Sequence, residues 1–181
     1  KDGLGIDATT AGSIAGTYWF LMLIGRLIGG VIGGKVSSKA MLTVVSLVGM
    51  ILVLLAILLP AAQINMPVFK SDISFGFAEV PVSVLLLVLC GLCTSVMWGG
   101  IFNLAVEGLG KYTKMASGIF MTLVVGGGVL PLLQGWVVDL GSKDYYANCL
   151  SGYWVIFVGL AYLLFYALIG CKNVNKDIPV E

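Results

Sequence analysis

The sequence predicts an all-α, polytopic membrane helical bundle of five transmembrane helices, and three observations carry that prediction. Of 181 residues, 59% are hydrophobic and only 10% charged, whereas a soluble domain carries about a quarter charged residues. Apolar windows of about 20 residues, the length a bilayer demands, recur near residues 10–34, 40–59, 81–108, 117–140 and 152–170. Basic residues fall at alternate ends of these windows. Lys35, Lys39, Lys111, Lys114, Lys172 and Lys176 lie on one side, and Lys1, Lys70 and Lys143 lie with most of the carboxylates on the other. The lysine-rich side is expected to be cytoplasmic, with the N-terminus outside and the C-terminus inside. In a chain that begins at Lys1 without a signal peptide, this topology reads as a fragment preceded by further spans.

Composition also excludes several classes. A net charge of +1 leaves no basic surface to neutralise phosphates, so no nucleic acid is expected as a partner. There is no histidine, no nucleophile beside a base and no cluster of carboxylates. No catalytic residue, cofactor or metal is therefore expected. Cys90 and Cys93 form a C-x-x-C inside a span with no βαβ surroundings, and read as small packing residues rather than a redox or metal pair. Cys149 and Cys171 fall on opposite membrane faces and cannot pair.

Ahead of the first span, Asp7, Thr9 or Thr10 is placed to cap a helix. Tyr18, Trp19 and Phe20 suit an interface belt or a cavity wall. Gly25, Gly29 and Gly33 recur at four-residue spacing with Gly30 and Gly34 beside them, so a neighbouring helix can approach closely. Arg26 lies deep in this span and needs a partner, since an unpaired arginine there costs at least about 3 kcal/mol. Glu107 on the third span is the acidic candidate, in a gate-like contact; Lys111, one turn on, is its competing partner. The second span, aliphatic apart from Ser46 and Gly49, reads as a lipid-facing support. The connection 61–79 is expected outside, lying on the interface or folding over the mouth with Phe69, Phe75 and Phe77.

The third span opens at Pro81 and is weakened by Gly91, Thr94, Ser95, Gly99 and Gly100. Asn103 and Glu107 share one face, and Trp98 and Thr94 another. An indole near an amide suits a sugar, whose C–H face stacks while its hydroxyls hydrogen-bond. Alternatively, Asn103 bridges helices and Trp98 faces lipid. Gly110-Lys111-Tyr112-Thr113 touches the phosphate-loop pattern, but Tyr112 stands where Ser or Thr is required, so it reads as a turn. In the fourth span Gly126-Gly127-Gly128 followed by Pro131 predicts a locally unwound or kinked helix, with Gln134 beyond it as a second hydroxyl reader. The fifth span, rich in Tyr153, Trp154, Phe157 and Tyr162, reads as support. Polar groups at membrane depth need partners or a wet cavity, so a solute pathway through the third and fourth spans is expected.

Two stretches carry a resemblance. Gly30, Lys35 and Lys39 resemble a degenerate copy of the loop motif of major facilitator transporters, with Gly34 in place of its acidic residue and Ser37 in place of its second glycine. The run from Met97 to Gly110 with Lys114, and that from Gly126 to Gly135, are similar to the tenth and eleventh helices of the fucose permease and glucose/galactose group, with Gly99-Gly100 where the group shows Pro-Thr. The resemblance implies helices eight to twelve, the partial C-terminal half of a major facilitator fold, over residues 1–181. It further implies a proton-coupled sugar (fucose, galactose or glucose) symporter of a bacterial inner membrane, working by alternating access, with the missing N-terminal half, the sugar, the proton and the bilayer as partners. Trp98, Asn103 and Gln134 become the expected sugar contacts and Arg26 with Glu107 the gate. Gly25, Gly29, Gly30, Gly99, Gly100, Gly126, Gly127, Gly128 and Pro131 become packing or hinge positions. Another small solute, or a non-transporting membrane scaffold subunit, are the alternatives.

Overall fold

A computed structural model describes residues 6–59, 62–69, 74–140 and 145–172, with the side chains of 145–148 excepted. Lys1, Lys70, Lys143 and Lys176 of the charge count lie outside the described residues. Helices α1 (Ala8–Gly33), α2 (Ser38–Leu58), α3 (Val82–Val106), α4 (Thr113–Leu123), α5 (Gly126–Asp139) and α6 (Tyr145–Phe165) make up most of the chain. Gly110–Tyr112 adds a 3₁₀ turn before α4, and Tyr166–Gly170 continues α6 as a π-helical turn. Five segments among the described residues are long and apolar enough to cross a membrane, with Gly110–Asp139 counted as one. The chain is therefore a multi-pass membrane protein.

Capping fixes the starts of the first two helices. The Asp7 carboxylate accepts from the backbone N–H groups of Thr9 (3.1 Å) and Thr10 (3.2 Å), and the Ser37 hydroxyl accepts from Ala40 (3.3 Å). Each satisfies N–H groups that a helix start leaves unpaired. Between α3 and α4 the chain turns through Gly108 and Gly110, whose φ values of 76° and 46° suit glycine.

The centre of the bundle is α3, which packs against α1 on one side and α2 on the other; α6 adds to α2, and α5 to α6. Leu42 and Val53 of α2, Cys93 and Met97 of α3, and Tyr153 and Leu160 of α6 belong to one buried cluster. The α1–α3 seam is made by glycine. A Cβ at Gly25 would collide with the Ser95 side chain and one at Gly29 with Val96, while a Cβ at Gly91 would lie 2.9 Å from the Tyr18 carbonyl oxygen. At Gly30 a Cβ would meet nothing within 4 Å, so of the two glycine rows only the Gly25 and Gly29 row faces α3.

Two features depart from the sequence expectation. The connection after α2 is an antiparallel hairpin, β1 (Gln63–Phe69) with β2 (Phe75–Pro81), in register from Gln63↔Pro81 to Phe69↔Phe75. Ile64, Met66 and Val68 alternate with outward Gln63, Asn65 and Pro67, which is the period of a half-buried strand. Met66, Val68 and Val80 are buried with Val84 and Val88 of α3 and pack on Ile14 and Leu21 of α1. The second departure concerns the fourth span. Its break sits at Val124-Val125, upstream of the glycine triplet, and Gly126-Gly127-Gly128 and Pro131 all lie within α5. Val124 and Val125 donate back three residues, to Met121 (3.3 Å) and Thr122 (3.4 Å), tightening the chain there before the weak helix former that follows.

Candidate functional site

A cavity of about 530 Å³ opens between α1, α3, α5 and α6, with α2 at its floor. Its polar side chains come from four helices: Tyr18 of α1, Thr94 of α3, Gln134 of α5 and Tyr153 of α6. The Tyr18 phenol oxygen is 2.9 Å from the Thr94 hydroxyl. The helical period puts Tyr18 in the row of Gly25 and Gly29, seven and eleven residues before them, so the same close seam that the glycines allow turns the phenol towards α3. Gln134 is held over Gly152 of α6, where a Cβ would lie 3.4 Å from the glutamine Cγ. Ile14, Val88, Cys93, Met97 and Leu160 supply apolar wall. Such a surface, mostly apolar with a few convergent polar groups, is the usual character of a small-molecule site.

A second, more polar recess of about 640 Å³ lies at the opposite end of α3. It is lined by Ser37, Ser38 and Lys39 at the start of α2, by Asn103 and Glu107, and by Lys172. The Asn103 amide nitrogen donates to the Ser38 hydroxyl at 3.5 Å. Asn103 therefore bridges α3 to α2 at the rim of this recess.

The three expected sugar contacts thus occupy three places. Gln134 lines the cavity and Asn103 the recess. Trp98 is 50% exposed, stacked on Phe102 with centroids 5.8 Å apart and planes 4° apart, while Phe120 of α4 meets both rings edge-on at 6.1 and 5.4 Å. Trp98 and Thr94 are near one face by spacing, yet Thr94 meets Tyr18 of α1 while the longer Trp98 side chain packs on Phe102 and Phe120. Arg26 and Glu107 are likewise apart, and among the described residues no ion pair joins them. The Arg26 guanidinium lies 3.7 Å from the Met22 sulfur on the exposed side of α1. Lys111, the competing partner, sits over the Tyr112 ring at 5.4 Å.

The glycine positions divide in the same way. Gly25 and Gly29 are in the α1–α3 seam, and Gly100 makes ordinary contact with Leu42 at 3.7 Å. Gly30, Gly99, Gly126, Gly127 and Gly128 face open space. Cys90 and Cys93 pack in the α2–α3–α6 core, the Cys90 thiol 4.0 Å from the Gly49 carbonyl oxygen, and both also reach the cavity. The contribution of Thr94 to the cavity was missed in the sequence; for Tyr18 the sequence left open an interface belt or a cavity wall, and the shared row of Tyr18, Gly25 and Gly29 is the signal that decides for the wall.

Comparison with known proteins bears on what this arrangement belongs to. No family model matches the chain, and no solved structure matches it. A putative glucose/galactose transporter of Helicobacter pylori is 30% identical over 170 residues, covering 94% of this chain and 37% of the relative. A glucose/galactose transporter of Brucella abortus is 39% identical over 84 residues, 46% of this chain and 19% of the relative. The L-fucose-proton symporter of Escherichia coli is 31% identical over 68 residues, 38% of this chain and 16% of the relative. The chain thus spans little more than a third of the length of even the relative that it matches almost from end to end. With five apolar spans among its described residues, it is homologous to a segment of the major facilitator transporters, in the group whose members carry the names glucose/galactose transporter and L-fucose-proton symporter.

Proposed function

We propose that this chain is the C-terminal portion, helices eight to twelve, of a proton-coupled sugar symporter of a bacterial inner membrane. The observation that carries the reading is the match over 94% of the chain to a protein named for glucose and galactose transport. The cavity between α1, α3, α5 and α6 supports it, because an apolar wall interrupted by Tyr18, Thr94, Gln134 and Tyr153 suits a neutral, hydroxylated solute.

In this reading Gln134 contacts the sugar within the cavity. Asn103 and Trp98 contact it further along the pathway, at the polar recess and on the aromatic cluster. The recess is the cytoplasmic end, in keeping with Lys39 and Lys172 on its walls and with a cytoplasmic C-terminus. Arg26 and Glu107 pair only at another stage of alternating access, and Gly25 and Gly29 form the surface on which α1 slides. Gly126, Gly127, Gly128 and Pro131 give α5 a hinge, supported by the break at Val124-Val125 beside them. The proton-carrying carboxylates belong to the absent first half.

Counterflow of labelled fucose, galactose and glucose into vesicles bearing the full-length parent tests the proposal. At least one sugar is expected to exchange, and its uphill uptake to stop when a protonophore collapses the gradient. Arg26→Gln and Glu107→Gln, singly and together, are expected to give non-additive defects. A correctly inserted parent that exchanges none of the three sugars would leave another solute or a scaffold role.

A further inference from the structure

At the Tyr18–Thr94 contact either hydroxyl can be the donor, and proton counting favours the phenol. Thr94 has one hydroxyl proton, and its oxygen lies 3.1 Å from the Cys90 carbonyl oxygen and 3.2 Å from that of Gly91. This is the bond back to the preceding turn that threonine makes inside a helix. With that proton turned to the backbone, the phenol is the group left to donate across the 2.9 Å gap. The phenol oxygen then has lone pairs and no proton to offer the cavity. Gln134, whose amide both donates and accepts, lines the same cavity from α5, and Tyr153 lines it from α6. Among the described lining residues there is no lysine, arginine, aspartate or glutamate.

We propose that Tyr18, held in place by Thr94, reads a single hydroxyl of a neutral sugar by accepting its proton, while Gln134 makes a two-way contact with the solute and the apolar wall takes its C–H face. This rests on the reading of the chain as part of a sugar transporter. Tyr18 is a specificity residue and Thr94 a positioning residue: without the threonine acceptor the phenol is free to rotate and to donate. A sugar acid is rejected, since its carboxylate would be buried without a cation.

The test uses the full-length parent in vesicles, with whichever of L-fucose, D-galactose and D-glucose it exchanges, and the series of that sugar in which each hydroxyl in turn is replaced by fluorine. Fluorine cannot donate. In the parent, one fluorine position is expected to raise KM about tenfold, the loss of one buried hydrogen bond. Tyr18→Phe is expected to raise KM for the native sugar by a similar factor, with the maximal rate within about twofold, and to abolish the penalty at that one position. Thr94→Ser is expected to behave as the parent and Thr94→Val as Tyr18→Phe. The uronic acid of the sugar should not compete. Alkylation of Cys90 and Cys93, whose side chains reach the cavity, gives a binding readout without transport: the native sugar should slow it in the parent and less so in Tyr18→Phe. If the parent exchanges sugar but Tyr18→Phe leaves KM unchanged, or its effect and that of the fluorine add, this inference is overturned and the transporter reading stands. A parent that exchanges none of the sugars overturns both.

Discussion

The backbone N–H of Phe69 donates to the hydroxyl of Thr17 at 2.8 Å, which fastens the end of β1 to the third turn of α1. The Thr17 hydroxyl also bonds the Ser13 carbonyl at 2.8 Å, so its donor and acceptor capacities are both in use. Phe20, almost one turn further along, stacks on Phe69 with centroids 5.4 Å apart and planes 2° apart, and Phe75 meets both rings edge-on. The hairpin is thus tied to the helix by one polar and several aromatic contacts.

Replacing Thr17 with valine keeps the shape and removes the acceptor, leaving the Phe69 N–H without its partner. The expected cost is about 1–3 kcal/mol, felt at the hairpin before the bundle. Limited proteolysis within residues 62–81 should accelerate in Thr17→Val and return to the parent rate in Thr17→Ser. Equal cleavage in all three would mean that the aromatic contacts alone hold the hairpin.

Gly25 and Gly30 offer a matched pair within α1. A Cβ at Gly25 collides with Ser95, whereas one at Gly30 meets no atom within 4 Å. Gly25→Ala must push α1 from α3 and is expected to destabilise by about 1–3 kcal/mol. Gly30→Ala gains helix propensity without a clash and is expected to be neutral or stabilising by up to about 1 kcal/mol. Thermal unfolding of the two variants in the same detergent separates them, and an identical shift would show that the seam lies elsewhere on α1.

This pair also marks how far the sequence could be read. Apolar windows were enough for the five spans found among the described residues, since the bilayer constrains their length directly. The glycine spacing announced a close helix contact, but a four-residue repeat in two adjacent rows does not say which row faces the partner; only Gly25 and Gly29 do. The hairpin was readable in the alternation of Ile64, Met66 and Val68, yet it sits in a connection whose polar residues and Pro67 mask the period. The site was read least well. Trp98, Asn103 and Gln134 were each polar or amphipathic at membrane depth, but convergence depends on helix rotation, which packing sets. Tyr18 could be an interface or a cavity residue, and Thr94 looks like a weak point of its helix, until the two helices are brought side by side.

At the start of α1, pH dependence follows from the cap. The side-chain hydrogen bond from Thr10, with backbone bonds from Thr10 and Thr9, holds the Asp7 carboxyl below its ordinary value of 3.8. A carboxyl with a lowered folded pKa contributes stability that is present above the unfolded value and is lost as pH falls through the folded one. Protection of the first-turn amides against hydrogen exchange, relative to a mid-helix amide, should be flat above pH 5 or about that value and decline below about pH 4. In Asp7→Asn the cap persists without titrating, so the relative protection should no longer depend on pH. A decline that persists in that variant would assign the effect to another group.

Ser46 sits in the buried stripe of α2 with Leu42, Gly49 and Val53. Its hydroxyl is fully buried and has no hydrogen-bond partner among the described residues. An unsatisfied hydroxyl in an apolar contact costs about 1–3 kcal/mol, and alanine, the better helix former, removes it with little change in volume. Ser46→Ala is therefore expected to raise the midpoint of thermal unfolding, by about 1 kcal/mol of stability. Ser46→Val should lose that gain, because the added methyl group must fit beside α3 or α6 in a packed core. A fall in stability in the alanine variant would show instead that the hydroxyl has a partner in the working protein, and would point to a polar contact, such as a water or a neighbouring helix, at that depth of α2.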